Sequence, residues 1–320
     1  MKIKKIILTL LFLLSFMICF CFSISSKRVF QKMDIQAFCC ADDNNLLETQ
    51  VAIFSMLENS EERFNINIVC FKSNPITQEN ILKTKKLEKK FKNLKLNFVS
   101  FDESKLKKIN TEPWHKSILV KLYCAEIFPD LEKIFWFDDD VLFLQNINEL
   151  WKKNLDNKYL ATVDLSEMAN KYAVSKPKCD YWLTAGIGLY NLKEIRKDKL
   201  QEKFLKKALE FNVKKDDLYA RKQLAGGVEE YALTQSIVKN KALLLPYKYC
   251  IFVNLDNEGK LHYKNEKHSI DNCVSLHFSG PHKPWKTKKG IRKSFYDIWQ
   301  NYYNMTKQIV STQNLTFLNQ

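Results

Sequence analysis

The chain has 320 residues, of which 46% are hydrophobic, and a formal net charge of +15. That length builds one large domain or two small ones, and seven glycines and seven prolines are too few for a long disordered linker. No repeat occurs at solenoid periods. No helix-turn-helix, zinc-finger or RNA-recognition signature accompanies the charge, so no nucleic-acid partner is expected.

Lys2, Lys4 and Lys5 precede an apolar run from Ile6 to Ile24, interrupted only by Thr9, Ser15 and Ser23. Its length lies between a signal-peptide core and a bilayer span of about 20 residues. Basic residues ahead of the run favour a cytoplasmic N-terminus, which sends everything after it into the lumen. The expectation is a single-pass type II protein of the Golgi or endoplasmic reticulum, held in the membrane by residues 1–25. Ser23 and Ser25 offer the alternative, a cleaved signal and a secreted product. A short stem (26–32), an α/β domain (33–294) and a C-terminal helix with a polar tail (295–320) complete the expected division. The sequons at Asn304 and Asn314 are expected in that polar tail, open to glycosylation.

Two of the nine cysteines, Cys19 and Cys21, sit in the apolar run. There is no CxxC pair, so zinc is not expected. Cys39, Cys40, Cys70 and Cys124 lie in apolar stretches, where a thiol behaves as a small buried hydrophobe. Cys179, Cys250 and Cys273 are the better disulfide candidates in an oxidising lumen.

The first strand is predicted over Ile35–Cys40, ending in Ala41-Asp42-Asp43-Asn44-Asn45. A helix follows, with Val51, Ile53, Phe54 and Leu57 on its apolar side. Asn65–Phe71 reads as a strand, Ile76–Phe91 as an amphipathic helix, Leu94–Val99 as a strand and Lys116–Phe128 as a helix. Lys133–Phe137 is a fourth strand, running into Asp138-Asp139-Asp140. Further strands are expected at Tyr159–Val163, Gly186–Leu192 and Val274–Phe278, with helices over Glu194–Phe211 and from near Glu229. Alternation of strands and helices implies a doubly wound, mostly parallel sheet. Ligands of such sheets bind outside the carboxyl ends of the strands, which puts Asp42–Asn45 and Asp138–Asp140 on one rim.

Asp138 and Asp140 flank one residue at a strand end, so both carboxylates can converge there. Three adjacent acids repel one another, and a bound cation relieves the repulsion. Oxygen ligands suit Mg²⁺ or Mn²⁺, and an added imidazole tilts the choice toward Mn²⁺. The alternative is an acid cluster ahead of a short helix near Ile147.

KIFWFDDDVLFLQNINELW resembles the DxD segment of glycosyltransferase family 8, a metal-dependent, retaining set with a GT-A fold. Four further segments agree in order: MDIQAFCCADDNNLLETQVAIFSML, HKSILVKLYCAEIFP, TAGIGLYNLKEI and HFSGPHKPW. Together they cover the chain from about Met33 to Trp285. The resemblance implies a Rossmann-like GT-A domain, a UDP-sugar donor, a glycan or glycoprotein acceptor and Mn²⁺ (or Mg²⁺) held by Asp138, Asp140 and His277. It places Asp139 and Lys121 with the donor-binding set, Lys121 being otherwise an exposed helix lysine. Lys283 would contact the diphosphate, and Gly280 would let backbone N–H groups approach it. Asp42 and Asn44 match loop positions that contact uracil or ribose, surface turn residues being the alternative. Asp164 matches a position near the transferred sugar or the acceptor, or is a strand-end turn.

Two departures stand out. Thr184 occupies the usual Asn position, and GGVEEY replaces the usual Asp-Gln pair with Glu229 and Glu230. Either these acids favour the first turn of a helix, or Glu229 binds sugar hydroxyls and Glu230 lies beneath the anomeric carbon. Retention through a covalent intermediate and retention by front-face attack both stay open. A non-catalytic lectin-like or scaffold protein is the competing function, and all three expected metal ligands and Lys283 stand against it. A basic-surface binder would rest on charge alone.

Overall fold

Strand β1 (Ile35–Cys40) is wholly apolar but for Gln36, and its residues other than Gln36 are buried, as expected of a central strand covered on both faces. The computed structural model describes residues 34–112, 114–167, 180–220, 227–253 and 272–312. The apolar N-terminal run, Cys19, Cys21, Cys179 and Asn314 lie outside them.

A seven-stranded sheet carries the order β3-β2-β1-β4-β7-β6-β8. Its strands are β1, β2 (Phe64–Phe71), β3 (Leu94–Phe101), β4 (Lys133–Phe137), β6 (Leu160–Val163), β7 (Ile187–Asn191) and β8 (Ala242–Leu245). Strands β1, β2, β3 and β4 are mutually parallel neighbours, and β6 pairs β8 in parallel. Strand β7 runs antiparallel to both β4 and β6, so the sheet is mixed at that position. A second sheet joins β5 (Val141–Phe143), β10 (Ser275–His277) and β9 (Ile251–Phe252).

Helices α1 (Leu46–Glu58), α2 (Gln78–Thr84) and α3 (Lys86–Lys90) fill the first crossovers. Thr77 caps α2 through its side chain. Lys116–Tyr123 forms a tight 3₁₀ run that widens into α4 (Cys124–Ile127), and the two together make up the helical segment expected over Lys116–Phe128. After α5 (Asn148–Trp151), the single helix expected over Glu194–Phe211 is two, α6 (Leu192–Lys197) and α7 (Leu200–Ala220). They part at Lys199, whose φ of 50° is left-handed and ends the α-helical path. Helix α8 (Val228–Ser236) follows, and α9 (Lys293–Ser311) packs on α1, with Phe54 and Tyr302 rings 6.2 Å apart.

Two expectations are corrected. Cys250 and Cys273 are free, buried thiols, because their sulfurs are turned to His277 and to the Ser275 carbonyl instead. Asn304 lies within α9, not in a tail: Phe295, Trp299, Thr306 and Val310 recur on its buried face and carry the helix through the sequon. Cys39, Cys40, Cys70 and Cys124 are free and buried, as the sequence leads one to expect. Among the described residues no helix is long and apolar enough to cross a membrane.

Strand order reverses at β1 and β4: the chain extends from β1 through β2 and β3 on one side, then returns to place β4 on the other. Such a switch point opens a crevice at the strand ends. The loop after β1 and the acids after β4 both face it.

Candidate active site

The three acids after β4 are held by different partners. The Asp138 N–H donates to the Gly186 carbonyl at 2.9 Å. Its Oδ1 accepts from Lys121 Nζ and from Trp136 Nε1, each at 2.9 Å. Trp136 and Asp138 are two residues apart at a strand end, which sets their side chains on one face. Asp139 Oδ2 accepts from Asn45 Nδ2, tying the rim of β1 to that of β4. Asp140 receives the Lys283 ammonium on Oδ2. Its Oδ1 is buried, lies 3.1 Å from His277 Nε2 and accepts no well-aligned hydrogen bond among the described residues.

The second sheet delivers His277. Strand β10 pairs antiparallel with β5, setting His277 opposite Val141, and the Phe278 N–H donates to the Asp140 carbonyl at 3.0 Å. One ligand-type atom from each of Asp138, Asp140 and His277 lies within 4.8 Å of the others. A buried carboxylate oxygen facing an imidazole nitrogen, with a second carboxylate beside them, is a donor set that a shared Mn²⁺ or Mg²⁺ fits.

Charge around these acids is uneven. Burial lifts the Asp138 carboxyl above the usual range against the pull of Lys121. Burial, with Asp140 beside it, pushes Asp139 up to about 7. Asp140 goes the other way: against its own burial, Lys283 and His277 hold its carboxyl well below the ordinary range. Lys121 has no exposed surface, so it is not the exposed helix lysine of the alternative reading. Its ammonium also donates to the Ala185 carbonyl at 2.8 Å and sits 4.5 Å over the Trp136 ring. Burial alone would lower this amine, but Asp138, then Glu229 and Glu230, raise it.

The Ala185-Gly186 segment joins this centre to the two glutamates. The Ala185 N–H donates to Glu230 Oε1 at 3.1 Å, and the Thr184 hydroxyl donates to the same oxygen at 3.3 Å. Trp182 Nε1 donates to Oε2 at 3.3 Å. Three donors on a buried carboxylate make a seat for negative charge; burial still raises the Glu230 carboxyl above its usual range while these donors oppose it. Glu229 has no such seat. Its Oε2 is buried without a hydrogen-bond partner among the described residues, and burial pushes the group up to about 8. It is therefore largely a neutral acid at pH 7, able both to donate and to accept.

Asp164 ends β6 and spends its carboxylate locally. Oδ1 accepts from the Ser166 and Trp182 N–H groups at 2.9 and 2.8 Å, and Oδ2 from the Ser166 hydroxyl at 3.0 Å. Trp182 thus stands between Asp164 and Glu230.

Asp42 lies across the rim. Its Oδ1 accepts from the Asn44 N–H and its Oδ2 from Asn74 Nδ2, both at 2.8 Å. Here a shallow, partly open cleft is lined by Cys40, Ala41, Asp42, Asn45, Phe71, Asn74, His115 and Ser117. The His115 ring stacks on Phe71 with centroids 5.7 Å apart. The closing loop turns at Gly280, whose φ of 78° is the left-handed conformation that favours glycine. Lys283 Nζ there also donates to the Phe278 carbonyl at 2.8 Å.

Sequence reasoning did not single out Asn45, Trp136, Trp182, Asn74 or His115. Trp136 was findable, since residues i and i+2 of a strand share a face. The others meet the site only through long-range pairing.

A model of glycosyl transferase family 8 matches residues 36–289, most of the chain and all of the centre just described. The chain belongs to glycosyl transferase family 8. Among curated proteins, this family 8 chain is 24% identical over 182 residues to a lipopolysaccharide 1,2-glucosyltransferase of Escherichia coli (strain K12), covering 55% of the chain and 51% of that protein. It is 22% identical over 211 residues to a probable galacturonosyltransferase 13 of Arabidopsis thaliana, covering 60% of the chain and 36% of that protein. The chain thus spans about half or less of these relatives' length. Among solved structures, an active-site mutant of LgtC superposes with a TM-score of 0.64 at 16% identity, over 85% of this chain and 96% of that one. At that identity the likeness establishes the GT-A fold. The family's activity is glycosyl transfer, and Asp138, Asp140 and His277 form a group that could hold a metal ion.

Proposed function

We propose that this family 8 chain transfers a sugar, with retention, from a UDP-sugar to a glycan or glycoprotein acceptor in the lumen of the secretory pathway. The observation that carries the reading is the continuity between the two halves of the site. Ala185 holds Glu230 by its N–H and Lys121 by its carbonyl, while Gly186 holds the Asp138 backbone. The sugar-side carboxylate and the phosphate-side acids are therefore fixed to one another through two consecutive residues.

In this reading the cleft at Asp42, Asn45, Asn74 and His115 takes the nucleoside, and Asn44, exposed beside it, reaches the ribose from the loop. Asp138, Asp140 and His277 hold a divalent cation, which when bound supplies Lewis-acid neutralisation of the departing diphosphate. Lys283 adds a flexible ammonium on the same side, and the left-handed turn at Gly280 brings backbone N–H groups close to the phosphates. Glu229 offers a neutral acid to sugar hydroxyls. Glu230, held by three donors, presents negative charge to an oxocarbenium-like transition state. Lys121 keeps Asp138 ionised and in place from below.

The test is to incubate the protein with Mn²⁺ and a panel of UDP-sugars and to measure UDP release. Release from at least one donor, abolished by EDTA, is expected; inert behaviour toward every UDP-sugar, together with no UDP binding, overturns the reading. Lumenal placement is checked separately, by protection of residues after the apolar run from protease in sealed microsomes.

A further inference from the structure

Strands β9 and β10 run parallel, with Leu276 opposite Ile251 and His277 opposite Phe252. Cys250, the residue before β9, therefore comes up beside the His277 ring. Its Sγ lies 3.7 Å from His277 Nδ1, within hydrogen-bonding reach of sulfur. The other ring nitrogen, Nε2, faces Asp140 Oδ1 at 3.1 Å. The ring has little freedom between them. A Cβ on Gly186 would come within 2.4 Å of Cε1, and the Phe252 ring packs with its centroid 4.6 Å away. Cys250 is a free thiol without exposed surface, which does not suit it to solvent-facing nucleophilic or redox chemistry. Its sulfur is not in the cluster formed by Asp138, Asp140 and His277.

A neutral imidazole offers one lone pair and carries one hydrogen. Which nitrogen does which is set by the partner of the nitrogen that does not coordinate. We propose that Cys250 is a positioning residue for His277: its sulfur accepts the Nδ1 hydrogen and fixes the tautomer whose Nε2 lone pair faces Asp138 and Asp140. The choice of a thiol has a physical reason. A carboxylate partner, common behind metal-binding histidines, would add a further buried negative charge beneath a rim that already carries three acids. A thiol supplies a weak acceptor at no charge and packs as a small hydrophobe. The inference rests on reading Asp138, Asp140 and His277 as the metal ligands.

The experiment titrates Mn²⁺ alone into the full chain in detergent, comparing wild type with Cys250→Ala, Cys250→Ser and Cys273→Ala. Cys273 is the control, an equally buried thiol that donates to the Ser275 carbonyl at 3.1 Å. Cys250→Ala should weaken Mn²⁺ binding by about 10–100-fold. Cys250→Ser, which keeps an acceptor and guards against a misfolded alanine variant, should fall between, and Cys273→Ala should match wild type. In ¹⁵N-histidine spectra of the chain loaded with diamagnetic Mg²⁺, His277 should carry its hydrogen on Nδ1, and lose that preference in Cys250→Ala. Wild-type Mn²⁺ affinity in Cys250→Ala, or an equal loss in Cys273→Ala, would overturn the proposal. So would a thiolate-to-metal charge-transfer band with Co²⁺, which would make Cys250 a ligand instead. If wild type binds no divalent cation at all, the metal reading fails and the tautomer assignment with it, whereas wild-type affinity in Cys250→Ala refutes the Cys250 role alone.

Discussion

Glu229→Gln should change how stability depends on pH, and by an amount the structure sets. Burial raises Glu229 from the ordinary 4.5 to about 8 in the folded chain. A carboxyl whose folded pKa lies above its unfolded value contributes stability below the unfolded value and loses it as pH rises through the folded one. The window is therefore about pH 4.5 to 8, and stability falls upward across it. At about 1.4 kcal/mol per unit, pH 7 lies roughly 2.5 units above the unfolded value, so the loss there is on the order of 3 kcal/mol. A glutamine side chain keeps the shape and removes the ionisation. The difference in unfolding free energy, glutamine variant minus wild type, should then grow by about 3 kcal/mol between about pH 5 and pH 8. Other titrating groups, including Asp139 and His277, are common to both proteins and largely cancel. Urea unfolding at several pH values measures it. A difference that stays flat to within about 0.5 kcal/mol across the window would show that Glu229 is solvated or paired, and would refute the reasoning.

Three other outcomes follow from the same geometry. Asp140→Asn and His277→Ala should each nearly abolish metal-dependent turnover while leaving the far-ultraviolet dichroism unchanged; full activity in EDTA would contradict the ligand set. Lys121→Met strips the buried partner from Asp138, which retains Trp136 Nε1 and a side chain 23% exposed. The cost should sit at the lower end of that for breaking a buried pair, about 3 kcal/mol, read as a drop in urea midpoint. Glu230→Ala should lower kcat by about 10²–10³ with little change in donor KM, and Glu230→Gln should retain part of the rate; unchanged kcat in both would reduce Glu230 to a helix-start acid.

Much of the fold was legible because its strands are short apolar runs with abrupt polar ends. Ile35–Cys40 and Lys133–Phe137 have the bounds their residues suggest. What the sequence hid was pairing. Nothing local says that Ile187–Asn191 runs antiparallel beside β4, or that a left-handed Lys199 splits one helical pattern into two. The 3₁₀ run at Lys116–Tyr123 was equally hidden, since its hydrophobic spacing serves either helix type. Cys250 looked like a disulfide candidate because spacing cannot reveal that its sulfur meets a histidine 27 residues further on.

The site divides along the same line. Asp138, Asp140 and His277 were readable as residue types, and the sheet supplied their convergence. The two departures from the family pattern were also readable, but as separate losses. In the fold they are one arrangement. Thr184 is almost wholly buried, and its hydroxyl donates to Glu230 Oε1 while accepting from the Gly186 N–H. An amide at the Glu230 position would turn one of its ends, an NH₂, toward donors on Trp182, Thr184 or Ala185, leaving donors facing donors. The Thr184–Glu230 pair avoids that conflict, because a carboxylate accepts on both oxygens and a hydroxyl can give and receive at once. Glu230 therefore cannot be restored to the family's usual amide without re-pairing the donors on Trp182, Thr184 and Ala185.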